Sequence, residues 1–337
     1  MSSELVGLFA KKKDLTRLAF LPIENPALEK YYQEQKNVFW TTQEISFVGD
    51  REQFETLDEN TKKYVKPIIF LFAQLDGIVN ENLVSRFKAE TSELAKECSM
   101  VYAIFEAMEW GHNETYSAII KVYIRDPEEQ RRGLNAIANF PAIRKIADWA
   151  FQWMESTAPL QERIVAFACI EGIIFSSAFA GIYWLKRRNI LPGLCKANEW
   201  IARDEAIHTR FAVALYHHMT KIWSPWRGGV NPLPKERIHA IISSAVEVTE
   251  LFTRDAMNVD LVGIDADDMV TYIKCTADSL SSSLGYPTIY GVVNPFDWMA
   301  IISLPNKTNF FESRVTEYAR EGAQGNDDFV FDLDVDM

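Results

Sequence analysis

Cysteine is scarce in these 337 residues, and the four present are far apart. Cys98, Cys169, Cys195 and Cys275 form no Cys-x-x-Cys pair and no disulfide-style spacing, which excludes a disulfide-stapled scaffold and a thiolate metal knuckle. Basic charge is also short: 35 Lys and Arg stand against 47 Asp and Glu, for a net charge of −12. That balance argues against a general binder of nucleic acid or of an anionic membrane. Lys11-Lys12-Lys13 follow the first small apolar stretch instead of preceding it, the wrong order for a secretory signal. No apolar run is expected to reach the roughly 20 residues that a bilayer crossing needs. A Walker or glycine-rich phosphate loop is missing too. The expectation is a cytoplasmic chain in a reducing compartment, with neither nucleic acid nor membrane as partner.

Strand signals are few. Apolar residues recur at three- and four-residue steps from about Asp58 to about Leu284, the period of amphipathic helices. With 48% apolar residues the chain can build a sizeable core. The pattern predicts an all-α fold in three parts: an entry segment over 1–57 with a short helix after Pro26, a helical domain over 58–312, and a flexible acidic tail over 313–337. Long helices are expected at 58–90, 92–125, 159–188 and 193–221, smaller ones near 128–136 and 141–155, and two more at 234–258 and 265–284. Asp126-Pro127 ends one helix and can open the next, because Pro suits a first helical turn. Leu191-Pro192-Gly193 separates two of the long helices, and Ser224 to Gly229 is the clearest loop.

Two short words carry the chemistry: Glu109-Trp110-Gly111-His112 and Glu205-Ala206-Ile207-His208. Residues three apart on a helix project from the same face, so each word offers a carboxylate and an imidazole to one point. Two further acids, Asp76 and Glu171, stand alone in apolar runs where an unpaired charge is costly to bury. Each of the four long helices therefore carries one part: Asp76, then Glu109 with His112, then Glu171, then Glu205 with His208. A ferritin-like helical bundle builds a di-iron or di-manganese centre from this combination. His217, His218 and His239 have no comparable partners and read as surface or helix-end residues.

Four carboxylates and two neutral imidazoles bring a charge of about 4− into the bundle, which two divalent cations cancel. Oxygen-rich ligation with one imidazole per ion suits iron or manganese better than a thiolate-seeking metal. Tyr116 lies one turn beyond His112 on the same face. Phe175, Phe179 and Ile201 are placed to form a dry pocket about its phenol; plain core packing is the alternative reading, and the position beside a metal ligand favours a one-electron role.

The chain resembles the small, radical-generating subunit of class I ribonucleotide reductase over nearly its full length. The resemblance rests on Phe39-Trp40-Thr41, Asp76 to Asn82, Glu109-x-x-His112-x-x-x-Tyr116, Glu171 to Ser176, Arg203-Asp204-Glu205-x-x-His208 and Asn309-Phe310-Phe311-Glu312. It implies two iron ions per chain, with manganese an alternative: Asp76, Glu109 and His112 on one, Glu171, Glu205 and His208 on the other, some carboxylates bridging. It implies that O₂ and an external electron convert Tyr116 into a stable radical. Trp40, Asp204 and His112 are then the start of an electron and proton path, with Tyr318 a relay between subunits. A carboxylate at Asp204 can also hold the far N–H of a metal-bound imidazole and set its tautomer. The implied partners are a second copy, as a homodimer, and the large subunit, docked through the tail, where Phe329, Phe331, Leu333 and Val335 alternate with acids or Val330.

Three features depart from the family pattern. The stretch between Asp76 and Glu109 is about two residues longer, which predicts an irregular helical turn. Gly111 sits inside a helix, where Gly costs roughly 1 kcal/mol against Ala, so a close neighbour or a backbone distortion is expected there. The chain ends in Met337 where many relatives end in Phe. Two other functions share the ligand scheme: a di-metal oxidase that acts alone on a small or lipid-like substrate, and an iron store.

Overall fold

In this computed structural model the described residues are 19–82, 86–92, 94–220 and 230–299. They form helices α1 (Pro26–Asn37), α2 (Asp50–Thr56), α3 (Glu59–Asn82), α4 (Lys88–Ser92), α5 (Lys96–Tyr123), α6 (Pro127–Gly133), α7 (Ala136–Asn139), α8 (Pro141–Met154), α9 (Leu160–Cys169), α10 (Ser176–Arg187), α11 (Pro192–Met219), α12 (Lys235–Ala256) and α13 (Ala266–Ser283). A π-helical turn, Ile170–Ile174, joins α9 to α10 without a break. Among the described residues the single β-type pairing is one bridge between Thr220 and Val230. The fold is a ferritin-like helical bundle. Helix α3 packs along α5, the α9 passage packs along α11, and α12 and α13 cover the far side.

Local chemistry explains the boundaries. Asp126 caps α6 by accepting from the Glu128 N–H at 3.2 Å, and Pro127 takes the first turn. Helix α11 starts at Pro192 after Leu191 turns the chain with φ +53°. The carboxylate of Asp50 sits on that start, accepting from the N–H of Gly193 at 3.1 Å and of Leu194 at 3.0 Å, and from the Tyr123 hydroxyl at 2.7 Å. One buried acid thus satisfies two end amides of α11 and ties α2, α5 and α11 together.

Two expectations change. The helix expected over 58–90 is α3 as far as Asn82; π-helical bonding then appears at Arg86-Phe87, and extended backbone at Ala95 (φ −155°) precedes α5. The passage Leu160–Arg187 is long and apolar enough to cross a membrane, with a mean hydropathy of 1.9, against the expectation that no run would qualify. However, 94% of that window is buried inside the protein, as befits a helix apolar on all sides at the centre of a large core. His217 sits in the last turn of α11, a helix-end position as the sequence allowed, but it is 3% exposed, with its Nε2 2.8 Å from the carbonyl of Ser283 at the end of α13. The loop at 224–229, Tyr318 and the tail lie outside the described residues.

Candidate metal centre

The acids and imidazoles of the four long helices converge in the core. Asp76 comes from α3, Glu109 and His112 from α5, Glu171 from the π turn, and Glu205 and His208 from α11. All six are buried. Potential ligand atoms of Asp76, Glu109 and His112 lie within 4.8 Å of one another, as do those of Glu109, Glu171, Glu205 and His208. Glu109 and Glu205 stand between the two imidazoles. Glu205 reaches His112 Nδ1 at 3.0 Å and His208 Nδ1 at 2.9 Å; Glu109 approaches the same atoms at 3.5 and 3.1 Å. These two carboxylates therefore lie between the two imidazoles, and Glu109 belongs to both groups of ligand atoms.

The π turn explains how Glu171 arrives. The Phe175 N–H bonds back five residues to the Ile170 carbonyl at 3.3 Å, so one extra residue bulges where the acid sits. Gly172 lets the bulge press on α11, since a Cβ there would come 3.1 Å from Thr209 Cγ2.

The polar atoms test whether a metal fits. Both carboxylate oxygens of Asp76, Glu109, Glu171 and Glu205 are buried without a hydrogen bond of good geometry among the described residues, and so are His112 Nδ1 and both ring nitrogens of His208. Each such orphan costs about 1–3 kcal/mol, and cations placed among these donors would satisfy them together. Oxygen and imidazole donors with no thiolate suit iron or manganese, and Cys98, Cys169, Cys195 and Cys275 are free, buried and absent from both clusters. The residues fit a dinuclear metal site.

Proton affinities follow the same crowding. Burial, then Glu109, pushes Asp76 well above the usual carboxylate range, and burial with Glu205 does the same to Glu171. Burial also disfavours charge on Glu205, but the adjacent His208 and His112 outweigh it and hold that acid low. For His208 burial works against the charged ring, yet Glu205 and Glu109 push it up to about 9. His112 is raised as well, against burial, by Asp204, Glu109 and Glu205.

Beside the centre, Tyr116 is wholly buried and its hydroxyl has no hydrogen-bond partner among the described residues. Its ring stacks on Phe72 with centroids 4.6 Å apart and planes within 6°, and Phe72 in turn meets Phe175 at 5.3 Å and Phe179 at 4.9 Å. Phe72, which the sequence reasoning missed, lies four residues before Asp76 and so points the same way; that spacing was the available signal. On the other side, Trp40 Nε1 donates to Asp204 Oδ2 at 2.7 Å, and the same oxygen lies 3.1 Å from His112 Nε2. The indole stacks near His112 at 5.9 Å and 21°. Burial favours protonation of Asp204, but Arg203, His112 and Trp40 outweigh it and keep the carboxylate ionised. Arg203, part of the matching motif but given no role in the sequence analysis, joins Asp204 Oδ1 to the Val38 carbonyl through its guanidinium.

Comparisons with known proteins agree with this geometry. A family model described as "Ribonucleotide reductase, small chain" matches residues 17–295. The ribonucleoside-diphosphate reductase small chain of Trypanosoma brucei brucei is 42% identical over 323 residues, covering 95% of this chain and 93% of that protein. The chain belongs to the ribonucleotide reductase small-chain family. The small chain of Variola virus is 40% identical, covering 96% of this chain and 98% of its own length. Among solved structures, the ribonucleotide reductase Rnr4 homodimer from Saccharomyces cerevisiae superposes with a TM-score of 0.73 at 29% identity, covering 90% of each chain. Membership of the ribonucleotide reductase small-chain family makes this chain the small subunit of an oxidoreductase, a ribonucleoside-diphosphate reductase.

Proposed function

We propose that Asp76, Glu109 and His112 hold one metal ion and Glu171, Glu205 and His208 a second. Two iron ions per chain are the native pair, and manganese suits the same donors. The observation that carries this reading is the convergence of six buried side chains whose polar atoms are otherwise orphaned. When bound, the metal pair supplies a one-electron oxidant, with O₂ and an external electron as co-reactants.

Tyr116 is the residue oxidised: its phenol gives up one electron and its proton, leaving a phenoxyl radical. Its phenol is a poor acid, because burial first, then Asp76 and Glu205, disfavours the phenolate; electron and proton therefore leave together. The aromatic wall of Phe72, Phe175 and Phe179 excludes water from the radical. Asp204 fixes the His112 ring and receives the Trp40 N–H, so these three form the inner end of an electron and proton route. Tyr318 continues it at the subunit contact. The radical equivalent passes reversibly to the large subunit, where ribonucleotides are reduced to deoxyribonucleotides, and the tail over 313–337 docks the two. Two copies of the chain form a homodimer, and the buried free cysteines suit the reducing cytoplasm.

Tyr116→Phe tests this reading. The variant is expected to bind two metals per chain, as wild type does, and to lose the organic radical signal in electron paramagnetic resonance. A signal of unchanged shape in that variant overturns the assignment of Tyr116.

A further inference from the structure

On the reading above the metal centre consumes one external electron, yet no group of its inner route lies open to solvent. His112 and Asp204 are wholly buried, and Trp40 is 4% exposed. Among the described residues Trp40 meets two rings. One is His112, at the centre; the other is Trp200, whose indole centroid lies 5.3 Å from that of Trp40 at an angle of 53°. Trp200 is half-buried, so part of its ring reaches the surface. Trp200, Asp204 and His208 follow one another along α11 at four-residue steps. Such residues share a helix face, so one stripe of α11 runs from the surface ring to a metal ligand.

The charges beside the two indoles differ in sign. Trp40 donates its N–H to the ionised carboxylate of Asp204 at 2.7 Å, which stabilises positive charge on that ring. Lys196 Nζ stands 4.8 Å from the centroid of the Trp200 ring. A cation is attracted to the electron-rich face of an indole, and removing an electron from the ring turns that attraction into repulsion. An oxidised Trp40 is therefore favoured over an oxidised Trp200. An electron runs downhill from Trp200 to Trp40, while leakage of the oxidising equivalent to the surface runs uphill.

We propose that Trp200 is the port through which the external electron enters. Trp40 gives one electron to the oxidised metal pair by way of Asp204 and His112, and Trp200 replaces it. A one-electron reductant in solution then restores Trp200. The reductant ends one electron poorer, the metal pair one electron richer, both indoles end as they began, and neither N–H proton has to leave. The inference rests on the metal and Trp40 reading above and adds a residue to it.

The test mixes the full-length, ferrous-loaded chain with O₂ in the presence of ascorbate as the reductant. The oxidised indole is followed by stopped-flow absorption and by freeze-quench electron paramagnetic resonance. Trp200→Phe keeps a ring beside Trp40 and Lys196, but a phenyl ring is far harder to oxidise than an indole. In that variant the indole signal is expected to form as fast as in wild type. The second-order rate constant for its reduction by ascorbate is expected to fall at least about 10-fold, which is roughly 1.4 kcal/mol on the barrier. Trp200→Leu is expected to behave alike, whereas a packing role predicts wild-type behaviour in Trp200→Phe and a slow step in Trp200→Leu alone. A wild-type chain in which no oxidised indole precedes the Tyr116 signal overturns the Trp40 route and the port with it. An indole signal that ascorbate quenches equally fast in wild type and in Trp200→Phe overturns the port alone.

Discussion

At the scale of single residues, the centre makes the metal-free protein sensitive to alkali. His208 is raised from 6.5 to about 9 by Glu205 and Glu109, against burial. A group whose folded pKa is raised adds stability that is complete below its unfolded value and is lost as pH climbs through the folded one. Between pH 6.5 and 9 the metal-free chain is therefore expected to lose roughly 3 kcal/mol, at 1.36 kcal/mol per pH unit. Asp76 and Glu171, raised mainly by burial, act with the same sign, while Glu205, held low, does not change in this window. Metal binding displaces these protons, so affinity for divalent iron rises over the same range. Calorimetry of the metal-free chain checks the sign, and a melting temperature that holds or rises from pH 6.5 to 9 contradicts it. Of the six acids and imidazoles at the centre, Glu109, His112, Glu205 and His208 were legible because an i, i+3 pair shares a face wherever the helix begins or ends, and Asp76 and Glu171 because each is a lone acid in an apolar run. Phe72 was not, because an aromatic residue in an apolar run looks like any other core residue.

At the scale of elements, the helices were readable and their irregularities were not. Period-3.6 patterning fixes that a segment is helical, but a π turn inserts one residue without altering composition, so Ile170–Ile174 left no mark in the pattern. The irregularity between Asp76 and Glu109 was legible only as excess length, and it lies at Arg86-Phe87. Asp50 is the clearest case of information that local patterns lack, since its partners at Gly193 and Leu194 are 143 and 144 residues away. Removing that carboxylate exposes its importance for α11, the helix that carries Asp204, Glu205 and His208. Asp50→Ala deprives two end amides and the buried Tyr123 hydroxyl of their acceptor. The expected cost is about 3 kcal/mol, combining a lost helix cap with buried unpaired donors. A lower urea midpoint with an unchanged slope checks this, together with weaker retention of metal under chelation. An unchanged midpoint means that α11 is held without Asp50.

At the scale of the molecule, the proposed reading has the bundle make and guard a radical, and leaves reduction of the nucleotide to a second protein. Tyr116 is wholly buried against the rings of Phe72, Phe175 and Phe179, a setting that suits a sheltered radical. On the proposed reading the radical equivalent leaves through Trp40, whereas an oxidase would take its substrate into the core. The tail is the expected handle for the partner: Asp327, Asp328, Asp332, Asp334 and Asp336 keep it solvated, while Phe329, Phe331, Leu333 and Val335 supply groove-filling side chains. Deleting residues 319–337 leaves every group of the centre in place, so two metals per chain and the Tyr116 radical signal are expected to persist. Affinity for the large subunit is expected to fall at least about 100-fold, because the tail's apolar anchors carry the contact, and ribonucleotide reduction to fall with it. A synthetic peptide of residues 319–337 then inhibits the intact pair by competition. Full reductase activity in the truncated chain removes the tail from the mechanism, and turnover of a small substrate with no large subunit present favours the stand-alone oxidase.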